Sequence, residues 1–343
     1  MTSLLDYNRL EVIPMQGTLN KILMALMMTV IVPGLIFRMV EKDTPSKSME
    51  AESGATDSTA TEASLPSKMD TAVITVLLDD GTACPMEENA YLTGVLLAEM
   101  PVSFHDEALK AQAVVARTYA RKQLSSGAKH SGQVICTDSS CCQAYRSPEI
   151  FLETGGTETD LERIQALVEQ TQHEMLYYGD ALIEATYFSC SGGRTEDAVA
   201  VWGTQIPYLQ ALDSPGEEQA AHYTDTVQFT AEEFASRLQL TPDTLPGEWF
   251  GDITYTPGGG VDTMEICGVS FSGTDLRRIF QLRSTAFQIS AVGQTVTVTT
   301  KGFGHRVGMS QYGAEAMAVD GNDYRQILQY YYPGTVLQAM AED

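Results

Sequence analysis

Tyr91-Leu-Thr-Gly-Val-Leu-Leu-Ala-Glu-Met-Pro101 decides how the folded part of this chain is read. Leu92, Val95 and Leu96 share one helical face, because residues three and four apart are neighbours on a helix. Glu99 continues that stripe, seven residues after Leu92. Pro101 pushes Met100 out of the helical region, so the helix is predicted to stop at Glu99. A carboxyl group at the end of an apolar stripe is partly desolvated. Desolvation disfavours its charged form, and the C-terminal end of the helix dipole pushes the same way. These are the conditions for a general acid working near neutral pH. The competing reading is a surface glutamate on an imperfectly apolar face.

Working outward, the next helix is predicted over 104–126, with Ser103 as N-cap and Asp106 three residues on. Lys110, Val114, Arg117 and Arg121 fall on one face of it. That cationic face either steadies a carboxylate or is simply solvated. Upstream, Ala72-Val-Ile-Thr-Val-Leu-Leu78 reads as a strand ending at the turn Asp79-Asp80-Gly81. Downstream, 159–173 reads as a helix and 175–178 with 183–188 as a hairpin pair. A short helix at 231–239 precedes a strand-rich stretch, 252–300, that holds a helix near 274–281. Within it, Gln294-Thr-Val-Thr-Val-Thr-Thr300 alternates as a half-buried strand does. Helices near 312–319 and 323–332 close the chain. No internal repeat is present. The fold class is therefore α+β, a single mixed domain over 71–343.

The preceding residues have a different character. Ile22 to Phe37 is an uncharged apolar run of 16 residues flanked by Lys21 and Arg38. It reaches spanning length if Leu19, Met39 and Val40 join it and the flanking cations snorkel. It has no polar face for a core helix and no small-residue cleavage site. The reading is a transmembrane signal anchor at 22–40, a tail at 1–21 and a disordered tether at 41–70. The tether is rich in Ser, Thr, Ala, Glu and Pro and cannot bury enough apolar surface to order itself. Cations balance on the two sides of the run, so charge does not set its orientation. The whole chain has 343 residues, 21 Lys+Arg against 45 Asp+Glu, and a formal charge of −24. Such a chain is repelled by phosphate, which argues against nucleic-acid partners.

Three further features carry chemistry. His130, Cys136, Cys141 and Cys142 place four soft ligands within thirteen residues. One His and three Cys suit tetrahedral zinc. The spacing is not that of a zinc finger, and a disulfide from Cys136 to Cys141 or Cys142 is the rival reading. Cys84, Cys190 and Cys267 read as ordinary buried thiols. Two glycine-flanked polar loops follow: Tyr187-Phe-Ser-Cys-Ser-Gly-Gly-Arg-Thr-Glu196, and Gly302-Phe-Gly-His-Arg-Val-Gly-Met-Ser-Gln-Tyr-Gly-Ala314. Ser189, Ser191, His305, Ser310, Gln311 and Tyr312 offer neutral hydrogen-bonding groups there. Such groups suit sugar hydroxyls better than phosphates; structural turns are the alternative.

Taken together, Ala98-Glu-Met-Pro101, Glu107-Ala-Leu-Lys-Ala-Gln-Ala-Val-Val-Ala-Arg-Thr-Tyr-Ala120, Ser189-Cys-Ser-Gly-Gly193, Thr195-Glu196, Gly304-His305, Val307-Gly-Met-Ser-Gln-Tyr-Gly-Ala314 and Tyr331-Tyr-Pro-Gly-Thr335 resemble the stage II sporulation protein D family. The resemblance covers roughly 71–340. It implies a membrane-anchored peptidoglycan lytic transglycosylase, with its catalytic domain in the space between mother-cell and forespore membranes. Its substrate would be glycan strands stripped by a partner amidase, stage II sporulation protein P. It also implies Glu99 as the catalytic acid, Lys110, Gln112, Arg117 and Tyr119 on a helix lining the cleft, and a structural zinc on the His/Cys loop. Two departures stand out. The family's usual Gly-His-Gly run is here Gly304-His305-Arg306, which puts a cation into the cleft loop, and Cys141 stands where zinc-binding members have a His.

The reaction implied uses one carboxyl group. Glu99 protonates the glycosidic oxygen between N-acetylmuramic acid and N-acetylglucosamine, then takes the proton of the sugar's own C6 hydroxyl, closing a 1,6-anhydro ring. A hydrolase usually needs a second carboxylate; Glu107 and Glu196 are the ones the fold could bring. The alternatives are a plain hydrolase, a zinc-dependent cell-wall hydrolase and a non-catalytic glycan-binding scaffold.

Overall fold

A computed structural model of the chain describes residues 72–127, 129–130 and 132–339. The predicted tail, anchor and tether lie outside the described residues. Among those that are described, no helix is long and apolar enough to cross a membrane. The described chain is mixed α and β, as the sequence predicts, and belongs to one unit with two hydrophobic centres.

The first centre forms around strand β1 (Val73–Leu77), which pairs antiparallel with β2 (Ala83–Glu87) and parallel with β3 (Val134–Cys136). Ile74 and Val76 point inward, as strand alternation requires. Helix α1 (Glu88–Glu99) follows β2 directly and ends at Glu99, because Met100 before Pro101 is extended (φ −126°, ψ 146°). Its Tyr91, Leu92, Val95 and Leu96 are fully buried.

Helix α2 (Asp106–Ser126) begins later than the sequence predicts. Residues 101–104 form a turn closed by Phe104 N–H on Pro101 O, and His105 is the N-cap in place of Ser103. Helices α3 (Pro148–Glu153) and α4 (Glu158–Gln170) come next, capped by Ser147 and Thr157. Strand β4 (Glu174–Tyr178) pairs with β5 (Ala181–Leu182). Residues 183–188 do not extend that hairpin. Instead β6 (Tyr187–Phe188) leaves it to pair in parallel with β13 (Met309–Ser310), which joins the two glycine loops. Helix α5 (Ala198–Trp202) closes the first loop.

The second centre is built by residues 224–301. Strands β7 (Thr224–Thr230), β11 (Phe287–Val292) and β12 (Thr295–Lys301) form one antiparallel sheet, and β8 (Phe250–Tyr255), β9 (Val261–Ile266) and β10 (Val269–Ser272) another. Helices α6 (Ala231–Arg237) and α7 (Gly273–Phe280) complete it. Phe229, Phe234, Trp249 and Phe280 fill it, with Phe234 stacked on Phe280 at 4.4 Å. The sequence reading gives the two helices, the strand-rich character of 252–300 and the alternating strand at 294–300, but not β7. It does not reveal that their apolar faces converge on a core of their own. Helices α8 (Gln311–Val319) and α9 (Tyr324–Tyr331) then pack back on α2, and β14 (Val336–Ala339) joins β4.

Candidate active site and metal loop

Glu99 sits at the last turn of α1, partly buried. Its Oε1 accepts two hydrogen bonds, from Ala144 N–H at 2.9 Å and from Tyr187 Oη at 3.1 Å. Burial holds its acidity threshold above the ordinary carboxylate value, and these donors together with the Gln311 side chain partly oppose that rise. The Gln311 Nε2 is buried and faces this carboxyl without a hydrogen bond of good geometry. Among the described residues no cation and no second carboxylate contributes to the shift of Glu99. The sequence reading of a half-dry acid at the end of an apolar helix therefore matches the geometry.

The donor at Ala144 comes from residues 141–146, which run alongside α1. Arg146 N–H donates to Gly94 O at 3.0 Å, and the Tyr145 ring stacks on Tyr91 at 5.9 Å. Gly94 permits this approach, since a Cβ there would collide with the Tyr145 ring. Tyr187 and Gln143, which reach Glu99 directly and through Tyr187 respectively, are candidate residues that the sequence reading missed. Tyr187 opens the first glycine loop and Gln143 follows Cys142 directly; those positions were the available signals.

The same residues carry the metal loop. His130, Cys136, Cys141 and Cys142 bring one ligand atom each to within 4.8 Å of one another. All described cysteines are free, so the disulfide alternative is not formed; Cys84 and Cys267, read as buried, are only partly so. Cys141 Sγ lies 3.4 Å from His130 Nε2, so a sulfur reaches the cluster where the zinc-binding pattern has a His. Burial and the neighbouring thiols push Cys142 up to about 12. Three thiols crowded beside an imidazole fit a dication, which relieves that penalty by binding thiolates. Tyr119 supports this loop: its Oη donates to Cys141 O at 3.4 Å and accepts from Lys129 Nζ at 2.7 Å.

Other predicted binding residues are used differently. Arg117 is fully buried and donates to the carbonyls of Thr171 and Val168 at 2.6 and 3.1 Å, closing the C-terminal end of α4. With Arg121 it also faces Glu88, 3.7 and 2.5 Å away respectively. The cationic face of α2 thus steadies a structural carboxylate at the start of α1. Lys110 pairs with Glu107 at 2.8 Å and lies over the Tyr324 ring. Gln112 is fully buried, and both atoms of its amide lack partners.

Within the glycine loops, Ser191 N–H and Oγ–H both donate to Glu217 Oε2, at 2.7 and 2.8 Å, which removes Ser191 from the donors open to a ligand. Ser310 caps α8, and Tyr312 N–H donates to Ser189 O at 3.1 Å while its ring meets Phe104 edge-on. His305 Nδ1 accepts from Val307 N–H at 3.1 Å, and its ring also hydrogen-bonds the Tyr187 backbone. Burial, helped by Arg277, pushes His305 down to about 4, so the ring is neutral. It acts as a brace between the two loops.

Arg306 corrects the sequence expectation of a cation in the cleft. The residue takes the left-handed conformation, φ +67°, that a glycine adopts without steric cost. Its guanidinium is 2% exposed and donates to Ser191 O (2.8 Å), Arg194 O (2.8 Å) and Gly258 O (2.6 Å). It lies 3.8 Å from the buried Glu196, which also accepts from Thr256 Oγ1 and Gly258 N–H. The cation ties the first glycine loop to the turn between β8 and β9.

Comparison with known proteins places this geometry. Residues 82–178, which include Glu99, Gln143 and the metal loop, match the family model described as stage II sporulation protein. Over 256 residues the chain is 42% identical to stage II sporulation protein D of Bacillus subtilis (strain 168), covering 73% of this chain and 74% of that protein. The corresponding protein of Bacillus amyloliquefaciens is 40% identical over 257 residues, covering 73% of each. A protein named amidase enhancer, from Bacillus subtilis (strain 168), is 30% identical over 305 residues and is covered over 40% of its length. The chain belongs to the stage II sporulation protein D family.

Proposed function

We propose that this protein is a peptidoglycan lytic transglycosylase that cuts stripped glycan strands during sporulation, with Glu99 as its only acid/base group. One observation carries the reading: a partly desolvated carboxyl with two donors on one oxygen, the Gln311 amide beside it, and no cation or second carboxylate among the described residues acting on it. The carboxylates that could have made a hydrolase pair are committed elsewhere. Glu107 holds Lys110 and the Tyr324 N–H, and Glu196 is buried against Arg306. A reaction that recruits the sugar's own C6 hydroxyl needs no second carboxylate to activate water.

Neutral Glu99 donates its proton to the glycosidic oxygen, and the bond to the anomeric carbon breaks with its electron pair leaving on that oxygen. The carboxylate then takes the C6 hydroxyl proton as that oxygen closes on the anomeric carbon. The Ala144 and Tyr187 donors stabilise the carboxylate between the two steps. Gln311 is the neutral group beside Glu99 suited to sugar hydroxyls or N-acetyl carbonyls. On this reading His130, Cys136, Cys141 and Cys142 hold zinc with four protein ligands, which is a structural set that anchors the segment running to Ala144.

The cellular setting completes the proposal. The segment 22–40 anchors the chain, and 71–343 works between the mother-cell and forespore membranes. The partner is an amidase that strips stem peptides, stage II sporulation protein P in the family; the relative named amidase enhancer fits a chain that works beside an amidase. The test is incubation of the purified protein with peptide-free glycan strands and mass spectrometry of the ends. Anhydro-muramyl ends that vanish in Glu99→Gln are expected. Reducing ends would mean hydrolysis, binding without shortening would mean a scaffold, and anhydro ends persisting in Glu99→Gln would remove Glu99 from the chemistry.

A further inference from the structure

The polar groups behind Glu99 form a hydrogen-bonded chain that donates toward the carboxyl. Tyr91 Oη donates to Gln143 Oε1 at 3.3 Å. The amide is oriented with its oxygen toward Tyr91 and its NH2 toward Tyr187. Gln143 Nε2 then donates to Tyr187 Oη at 3.0 Å. A phenol has one proton. With an NH2 already pointing at its oxygen, Tyr187 directs that proton to Glu99 Oε1, 3.1 Å away. Ala144 N–H, which cannot accept, points at the same oxygen from 2.9 Å. In this arrangement Oε1 faces two donors, which leaves Oε2 as the oxygen that carries the proton of the neutral acid, with the Gln311 side chain also facing the carboxyl.

We infer that Tyr187 and Gln143 are positioning residues that confine the transferable proton of Glu99 to Oε2, so that one oxygen both gives and recovers it. The inference rests on the acid/base reading of Glu99 above. In the first step the Oε2–H bond breaks as a proton–oxygen bond forms on the leaving sugar. In the second, the C6 O–H bond breaks, Oε2 regains a proton and the C6 oxygen bonds the anomeric carbon. No proton travels along the Tyr91–Gln143–Tyr187 chain, whose phenols stay neutral: burial holds both far above their ordinary range. The groups facing Glu99 are Tyr187 from β6, Gln311 from α8 and the Ala144 backbone, with Tyr91 of its own helix one step behind Gln143. Tyr91 in turn feels Cys136, Cys142 and Tyr119. Glu99 is thus the acidic member of the chain, its threshold raised by burial.

Two variants test this in the full-length protein. Tyr187→Phe deletes the donor. Gln143→Glu keeps the shape but turns the Tyr187 proton toward position 143. Each removes the Tyr187 donor from Oε1, so the carboxylate is less stabilised and Glu99 keeps its proton to higher pH. The alkaline limb of kcat/KM on peptide-free glycan should move upward in both. Turnover at the optimum should fall on the order of tenfold to a hundredfold, the worth of one hydrogen bond to a charged group. KM should change little, and the double variant should lose little more than either single one. A carbon-13 titration of the Glu99 carboxyl gives the same shift without any assay of activity. An unmoved carboxyl titration in both variants would overturn the relay, whatever happens to turnover. An upward titration in a protein that makes no anhydro ends would uphold the relay and sink the transglycosylase reading instead.

Discussion

Arg306→Gly restores the glycine of the family's usual Gly-His-Gly run, and the structure sets the size of the loss. The guanidinium makes three hydrogen bonds to the carbonyls of Ser191, Arg194 and Gly258, in a place only 2% exposed to solvent. Hydrogen bonds to a charged group contribute about 1.5 kcal/mol each at the lower end of their range. Glycine at φ +67° recovers strain of about 1 kcal/mol, and its freer unfolded chain gives back up to about the same amount. The net destabilisation is therefore about 4 kcal/mol, or a fall in melting temperature of roughly 8–15 °C for a fold of this size. Glu196 keeps Thr256 Oγ1, Gly258 N–H and Asp197 N–H as donors, so Arg306→Gly with Glu196→Gln should lose little more than Arg306→Gly alone. Arg306→Lys should fall between, because an ammonium cannot span three carbonyls as the planar fork does. Differential scanning calorimetry and urea melts of the four proteins read all of this. A melting temperature for Arg306→Gly within about 2 °C of the parent would refute the claim that this cation ties the loops together.

Further expectations follow from the same geometry. Glu99→Gln should raise stability near neutral pH while abolishing cleavage. A buried carboxyl whose folded acidity threshold lies above its unfolded one costs nothing below the unfolded value and subtracts stability as pH rises through the folded one; equal melts of the two proteins at neutral pH would contradict this. The purified protein should carry one equivalent of zinc, replaceable by cobalt with a thiolate-to-metal absorption band. Removing the metal should lower the melting temperature and weaken cleavage, because Gln143 and Ala144 follow Cys142 directly; an unchanged melt after chelation would argue against a structural ion. Gly313→Ala should destabilise by about 1–3 kcal/mol, the usual cost of overpacking, because its Cβ meets Tyr331 Oη and Ser214 Oγ around the buried Glu217; a parent-like urea midpoint would show that Tyr331 can give way.

The sequence by itself determined whatever depends on neighbours along the chain. Pro101 fixes the end of α1 at Glu99, and the apolar stripe half-buries that carboxyl. The thirteen residues from His130 to Cys142 were enough to name four candidate ligands whose side-chain atoms meet. The alternating Gln294–Thr300 run gave β12, although not the sheet it joins. A periodic pattern shows that a face is buried and says nothing of what buries it. The tertiary structure alone decided the partners. Tyr187 reaches Glu99 across 88 residues, and Arg306 reaches Gly258 across 48. Arg117, read on a cationic helix face, turned inward because the open carbonyls at the end of α4 needed a donor there. Residues 224–301 drew together around Phe234 as a second core. Hydrogen-bond partners and shared apolar surface are chosen by folding in three dimensions, where distance along the chain carries no weight once the loops have closed.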